Sequence, residues 1–96
     1  MLGKKIKLVR LLRGMKQGQL AKKIKVASST LSQKESGLRE ILASEVINIA
    51  GVLGVRAEIF FYPDSHFYKT LKELDSIKRV QLDLLWKTYT EQTDVK

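Results

Sequence analysis

The residues best placed for chemistry in this chain form one hydrogen-bonding face on a short helix predicted over residues 28–36. At about 100° per residue, Leu31 and Glu35 lie on one side of this helix. The opposite side carries only hydroxyl and amide side chains, namely Ser28, Ser29, Ser32, Gln33 and Ser36. Such groups donate and accept hydrogen bonds at the base edges in the major groove of DNA. This face is therefore a candidate nucleic-acid contact.

The element before this helix must position it. A helix predicted over residues 17–24 is separated from it by Lys25-Val26-Ala27 alone, and Gly37 ends the second helix. The apolar residues at the crossing are Leu20, Ala21, Ile24, Val26 and Leu31. Two short helices joined by a tight turn are typical of a helix-turn-helix. Two solvated helices in any small bundle are the alternative interpretation.

The positive charge of the chain is concentrated in the half that contains this motif. Residues 1–40 hold eleven Lys or Arg and two Glu, a net charge of +9. Residues 41–96 hold seven basic and eight acidic residues, a net charge of −1. A basic surface kept only for solubility does not explain this asymmetry. It favours contact with the phosphates of a nucleic acid.

Length and composition argue against several other classes of protein. Ninety-six residues predict one domain. Without cysteine, disulfides and thiolate metal sites are unavailable, and we expect no metal and no cofactor. His66 is the single histidine, with no carboxylate cluster around it, so we do not expect an enzyme. We expect no signal peptide and no membrane span, since no apolar run approaches about 20 residues, and we expect a cytoplasmic protein.

Apolar spacing and glycines at helix ends predict an all-α chain. Besides the two helices of the motif, the predicted elements are a helix over residues 2–13, a helix over 42–53, a helical turn over 56–61, and a helical stretch over 64–90 broken near Asp75. Pro63, the single proline, marks a boundary. We therefore predict a helix-turn-helix DNA-binding domain over 1–62 and a C-terminal helical extension over 63–96.

Residues 1–61 resemble the phage-repressor and Cro type of helix-turn-helix domain, the Xre-like regulators. The residues that carry the resemblance are Ile6, Val9, Arg10, Gly14, Met15, Gln17, Leu20, Ala21, Val26, Leu31, Glu35, Gly37, Ile49, Ala50, Leu53, Gly54 and Val55. The combination covers about two thirds of the chain and is more specific than any single part. Residues 62–96 resemble nothing that we can name.

The resemblance implies five helices, a homodimer on a two-fold operator in double-stranded DNA, and a recognition helix over residues 28–36. By position, it places Ser28, Ser29 and Gln33 at base contacts. It places the backbone contacts at Lys16, Gln17, Lys22, Thr30 and Arg39. It also implies a structural ion pair between Arg10 and Glu35. The physical argument agrees, because Glu35 lies on the inner side beside Leu31 and needs a cation there.

The chain departs from the family pattern at four positions. Lys25 stands where the family has glycine, and a left-handed lysine there costs roughly 1 kcal/mol. Lys16 and Ala27 replace hydroxyl-bearing N-caps, each worth about 1 kcal/mol. Lys34 replaces an apolar residue, so we expect its amine to extend to solvent or to a phosphate.

Two sets of apolar residues have no place in the ordinary core of such a domain. Leu8, Leu11 and Leu12 cluster on the outer face of the first helix. The extension carries its own apolar arc, which includes Phe67, Leu71, Leu74, Leu82, Leu85 and Trp86. We predict that the extension packs on this face of the first helix and also against a second copy of itself. The alternative is that it covers only its own domain.

Three interpretations of function follow. The leading one is a sequence-specific transcriptional repressor that acts as a homodimer. The second is an antitoxin or immunity-type protein whose C-terminal helix binds a partner protein while the N-terminal domain regulates its own operon. The third, a protein-interaction module with an idle helix-turn-helix, is disfavoured by the charge asymmetry.

Overall fold

The computed structural model describes residues 1–93 and confirms the predicted all-α fold, with no strand in that range. The last three residues of the predicted extension, 94–96, lie outside the described residues. The elements in chain order are α1 (Leu2–Leu12), α2 (Gln17–Lys23), α3 (Ser28–Ser36), α4 (Ala43–Leu53), a 3-10 helix (Ala57–Phe61), α5 (Asp64–Lys72) and α6 (Arg79–Thr93). The break predicted near Asp75 is present between α5 and α6.

Backbone conformation at the helix ends follows the residues found there. Gly37 and Gly54 end α3 and α4 with φ of 89° and 73°, a left-handed conformation that costs glycine little. Lys25 adopts φ of 63° between α2 and α3 and is the sole non-glycine residue of the described range with positive φ. The strain expected at this turn is therefore present, and it amounts to about 1–2 kcal/mol.

The core of the helix-turn-helix domain forms where α1, α2, α3 and α4 meet the 3-10 helix. Ile6 and Val9 of α1 are fully buried, as is Leu31 of α3. The other buried residues that join them are Leu20, Ala21, Val46, Ile49, Ala50, Leu53, Ile59 and Phe60. Because α3 contributes a single leucine to this core, its outer face remains available for contacts with a ligand.

Gly3 allows α1 to approach α3 very closely. A Cβ atom at this position would lie 2.2 Å from the carbonyl oxygen of Lys34 and 2.7 Å from that of Glu35. These are backbone atoms, so no side-chain rotation would relieve the clash. The position of the C-terminal half of α3 relative to α1 therefore depends on the absence of a side chain at residue 3.

The C-terminal helices cover the leucine face of α1 within the same chain. Leu8 and Leu12 are buried and Leu11 is half-buried, while Leu82 and Tyr89 of α6 are buried in the same cluster. Phe67 and Leu71 of α5 are also fully buried, and Leu74, Leu85 and Trp86 pack against the cluster. The predicted packing of the extension on the leucine face of α1 is therefore present within one chain. The residues buried in this cluster are not available for contact with a second copy.

Two basic residues, Lys5 of α1 and Arg13 directly after α1, join the C-terminal helices to the helix-turn-helix domain. Arg13 donates from Nε to the carbonyl oxygen of Leu53 (2.8 Å) and from Nη2 to that of Gly54 (3.2 Å), and its Nη1 contacts Ser76 Oγ in the α5–α6 loop. The end of α4 and this loop are therefore fixed to the same guanidinium group.

Lys5 makes the second connection and is buried. Its Nζ contacts the carbonyl oxygen of Tyr62, lies 3.9 Å from Asp64 Oδ1, and is 5.2 Å from the centroid of the Phe67 ring. Burial lowers the pKa of Lys5, and the Asp64 carboxylate acts in the opposite direction. Tyr89 of α6 donates a 2.9 Å hydrogen bond to the same carboxylate. One carboxylate therefore links α1, α5 and α6.

Candidate nucleic-acid interface

The outer face of α3 is polar and accessible, which is the condition for contact with a duplex. Ser28, Ser29, Ser32 and Ser36 are exposed, and Thr30 and Gln33 are half-buried. Ala27 is the N-cap of α3 and makes no side-chain cap, as its residue type requires. The amide groups at the start of α3 are therefore not occupied by an N-cap side chain.

Gln33, the predicted base contact with the longest reach, is held by a predicted backbone contact. Arg39 donates a 3.0 Å hydrogen bond from its Nε to Oε1 of Gln33. Both side chains remain accessible, and Arg39 is exposed. The structure therefore places a cationic group directly beside the side chain expected to read adenine.

Three other residues predicted to contact the DNA backbone, Lys16, Gln17 and Lys22, lie at the start of α2 or on it, and the fourth, Thr30, lies on α3. Lys16 and Lys22 are exposed, and the backbone N–H of Lys16 donates to Oε1 of Gln19 (2.7 Å). Gln17 is half-buried and donates from Nε2 to Oε1 of Glu35 (3.0 Å). One of its two amide hydrogens is thus used inside the protein, and the other remains for a phosphate oxygen.

Arg10 and Glu35 lie in direct, bidentate contact. Arg10 donates from Nε to Oε2 (2.7 Å) and from Nη2 to Oε1 (3.0 Å) of Glu35, and from Nη1 to the carbonyl oxygen of Met15 (2.9 Å). Both side chains are almost fully buried. Together with Gln17 of α2, this network connects α1, the α1–α2 turn and α3. It fixes the orientation of α3 relative to α1.

The expectation for Lys34 is wrong. Its side chain is buried rather than directed to solvent or phosphate, and its Nζ lies 2.6 and 2.7 Å from the two carboxylate oxygens of Glu45. The hydrogen bond from Lys34 lowers the pKa of the Glu45 carboxyl, with a further contribution from the backbone N–H of Leu42. Close approach of α4 supplies the carboxylate, so Lys34 joins α3 to the start of α4.

Sequence reasoning missed three residues that position the interface: Gly3, Glu45 and Lys5. A glycine inside a predicted helix was the available signal for Gly3, since such a glycine often marks a close approach. Glu45, three residues after the N-cap Leu42, was a signal for a helix start, although not for its bond to Lys34. Nothing in the sequence distinguishes Lys5 from its neighbours Lys4 and Lys7.

Comparison with known proteins agrees with this geometry. Residues 6–60 match the family model described as Helix-turn-helix. The match covers more than half of the chain, and the chain belongs to this family, the Xre- and Cro-like helix-turn-helix proteins. It is therefore a DNA-binding transcription regulator. No curated protein and no solved structure matches the chain.

Within residues 1–93, no helix has the length and apolar character needed to cross a membrane. The same range contains no group of three or more His, Cys, Asp or Glu side chains arranged to hold a metal ion.

Proposed function

We propose that this protein is a transcriptional repressor that binds a two-fold operator as a homodimer, with α3 in the major groove. The observation that carries the proposal is the exposed hydroxyl and amide face of α3, presented by a helix-turn-helix whose half of the chain holds the entire excess of positive charge. In this arrangement Ser28, Ser29 and Gln33 contact base edges. The backbone contacts come from Lys16, Gln17, Lys22, Thr30 and Arg39.

The proposed readout has limited direct specificity. Gln33 can pair with the N6 and N7 atoms of adenine, whereas the short hydroxyls of Ser28 and Ser29 discriminate weakly. No arginine lies on the outer face of α3 to contact guanine. Half-site spacing and the deformability of the duplex therefore carry much of the remaining specificity.

We propose that residues 63–96 form the dimerisation element, through the face of α6 that points away from α1. Val80 and Leu84 are 74% and 66% exposed and lie four residues apart on one side of α6. Leu82, between them in sequence, is fully buried. A second copy covering these residues would place two recognition helices on one duplex, and about 34 Å between them would match successive major grooves.

Selection from a pool of random duplexes tests the operator proposal. The full-length chain should enrich two inverted half-sites whose centres lie about 34 Å apart or a multiple of that distance. If each protomer neutralises four or five phosphates, the plot of log affinity against log salt concentration should have a slope of about −7 to −9 for the dimer. A slope shallower than about −3, or enrichment without inverted symmetry, would contradict the proposal.

The exposed apolar face of α6 also supports a second candidate, an antitoxin or immunity-type protein. In that case the face around Val80 and Leu84 binds a partner protein while α3 regulates the operon. Sedimentation of the pure protein separates the two. A stable dimer that the Leu84→Lys substitution dissociates favours the homodimer, and a monomer that still binds DNA favours the second candidate.

A further inference from the structure

A polar pocket lies beside α3, at the point where α1 and the start of α2 meet the recognition helix. It has a volume of about 260 Å³ and is lined by Lys4, Lys7, Gln17, Ser32, Glu35 and Ser36. Five of these six side chains carry hydrogen-bond donors, and two of the five are cationic. Glu35 is already paired with Arg10 and accepts from Gln17, so its charge is compensated. The pocket therefore suits an anion.

The structure separates the three lysines at the start of α1. Lys4 and Lys7 line the pocket, and they lie three residues apart on one side of the helix. Lys5 points in another direction, is buried, and contacts Tyr62 and Asp64. Of these three lysines, Lys4 and Lys7 are therefore the two that line the pocket beside α3.

The position of the pocket beside α3 indicates which anion it would bind. Ser32 and Ser36 belong both to the pocket and to the outer face of α3. A duplex that receives α3 in its major groove must carry one sugar-phosphate backbone along the edge of that groove. Phosphate oxygens accept hydrogen bonds from ammonium, hydroxyl and amide groups, all of which line the pocket.

We propose that Lys4 and Lys7, together with Ser32 and Ser36, bind a backbone phosphate of the DNA duplex. This inference rests on the proposed insertion of α3 in the major groove. It extends the DNA contact beyond the two helices of the motif onto α1. The contact is independent of sequence and adds to affinity and register.

The test compares two double variants with the same change of charge. Lys4→Gln/Lys7→Gln alters the pocket, and Lys69→Gln/Lys87→Gln removes two exposed lysines from α5 and α6. Fluorescence anisotropy with a labelled random-sequence duplex of about 20 base pairs gives affinity as a function of salt concentration. The pocket variant should show a salt slope reduced by about 0.9 per protomer, because one phosphate is no longer neutralised, while the control variant keeps the wild-type slope. Equal slopes for the two variants would overturn the inference.

Further measurements remove ambiguity from the outcome. Lys4→Arg/Lys7→Arg should keep the wild-type slope, because arginine carries the same charge. The glutamine variant should keep the thermal unfolding midpoint of the wild type, which excludes a simple loss of folding. Inorganic phosphate, titrated at constant ionic strength, should not shift the amide NMR signals of Ser32 and Ser36 as the duplex does. Saturation by submillimolar inorganic phosphate would assign the pocket to a free anion and overturn the proposal. If the wild-type chain binds no duplex at all, the proposed function itself fails.

Discussion

Arg39 donates a hydrogen bond from Nε to Oε1 of Gln33, and this 3.0 Å contact joins the loop after α3 to the face that we propose reads DNA. The side-chain oxygen Oε1 of Gln33 keeps a second lone pair, and the side-chain NH2 group keeps both hydrogens. A bidentate contact with adenine is therefore still available. The guanidinium of Arg39 retains its other N–H donors for a phosphate, so we propose that this pair of side chains contacts both a base and the DNA backbone.

Substitution at this pair should affect specificity and affinity together. Gln33→Ala should lose about 1–3 kcal/mol of operator binding and relax the preference at one base pair per half-site. Arg39→Ala should weaken binding to operator and random DNA, and it should also reduce the preference at the base pair read by Gln33. A double-mutant cycle should give a coupling of about 0.5–3 kcal/mol. Lys22→Ala is the control and should weaken both kinds of DNA equally, whereas a sequence-neutral Gln33→Ala would contradict the assigned face.

Substitution of two glycines by alanine should have opposite effects on the stability of the protein. Gly3→Ala places a methyl group against backbone atoms of α3, so it should destabilise the fold by about 1–3 kcal/mol and weaken DNA binding by displacing α3. Gly51 lies on the exposed side of α4 with open space at its Cβ position. Gly51→Ala should therefore stabilise the protein by about 0.5–1 kcal/mol. Urea unfolding measures both changes, and an unchanged midpoint for Gly3→Ala would refute the close approach.

The Lys34–Glu45 pair should make the free energy of unfolding depend on pH in the acidic range. Because the folded state lowers the pKa of Glu45 below its ordinary value of 4.5, the stabilisation is present at neutral pH and is lost as pH falls through the folded-state pKa. Glu45→Gln should therefore be less stable than wild type at pH 7. The difference in unfolding free energy should shrink steadily below about pH 4.5. A difference that stays constant down to pH 2 would contradict an ionised contact.

Two leucines of α6 provide a matched test of the extension. Leu82 is fully buried against the rest of the chain, and Leu84 is 66% exposed. At protein concentrations low enough for the chain to be monomeric, Leu82→Ala should cost about 2–5 kcal/mol of stability, whereas Leu84→Ala should stay within about 0.5 kcal/mol. Under the homodimer proposal, Leu84→Ala should weaken self-association more than Leu82→Ala does. Sedimentation measures this difference when the two variants are compared at the same fraction of folded protein. Similar thermal destabilisation by both substitutions would contradict the orientation of α6.

Much of the helical framework was predictable because its signals are local. Apolar residues spaced three and four apart, together with Gly14, Gly37 and Gly54, predicted where the first four helices begin and end. These bounds agree with the structure to within about two residues at each end. The match between α6 and the leucine face of α1 was also predictable, since both surfaces were too apolar to remain in water.

The side-chain pairing was less predictable, because it depends on how distant helices cross. Lys34 meets Glu45 only after α4 approaches the end of α3, and Arg13 meets Ser76 across 63 residues of sequence. The Arg10–Glu35 contact was expected because the resemblance to a family supplied the partner. Where no family pattern existed, as for Lys5, no local signal indicated which of the neighbouring lysines would be buried.

The packing of α1 against α6 has a consequence for how the protein is made. The ribosome synthesises α1 well before α6, although Leu8 and Leu12 belong to the cluster that α6 completes. Until α6 is synthesised, the leucine face of α1 lacks this cover, and uncovered apolar surface of this kind is a target for chaperones and proteases. A product terminated before residue 79 keeps that surface permanently.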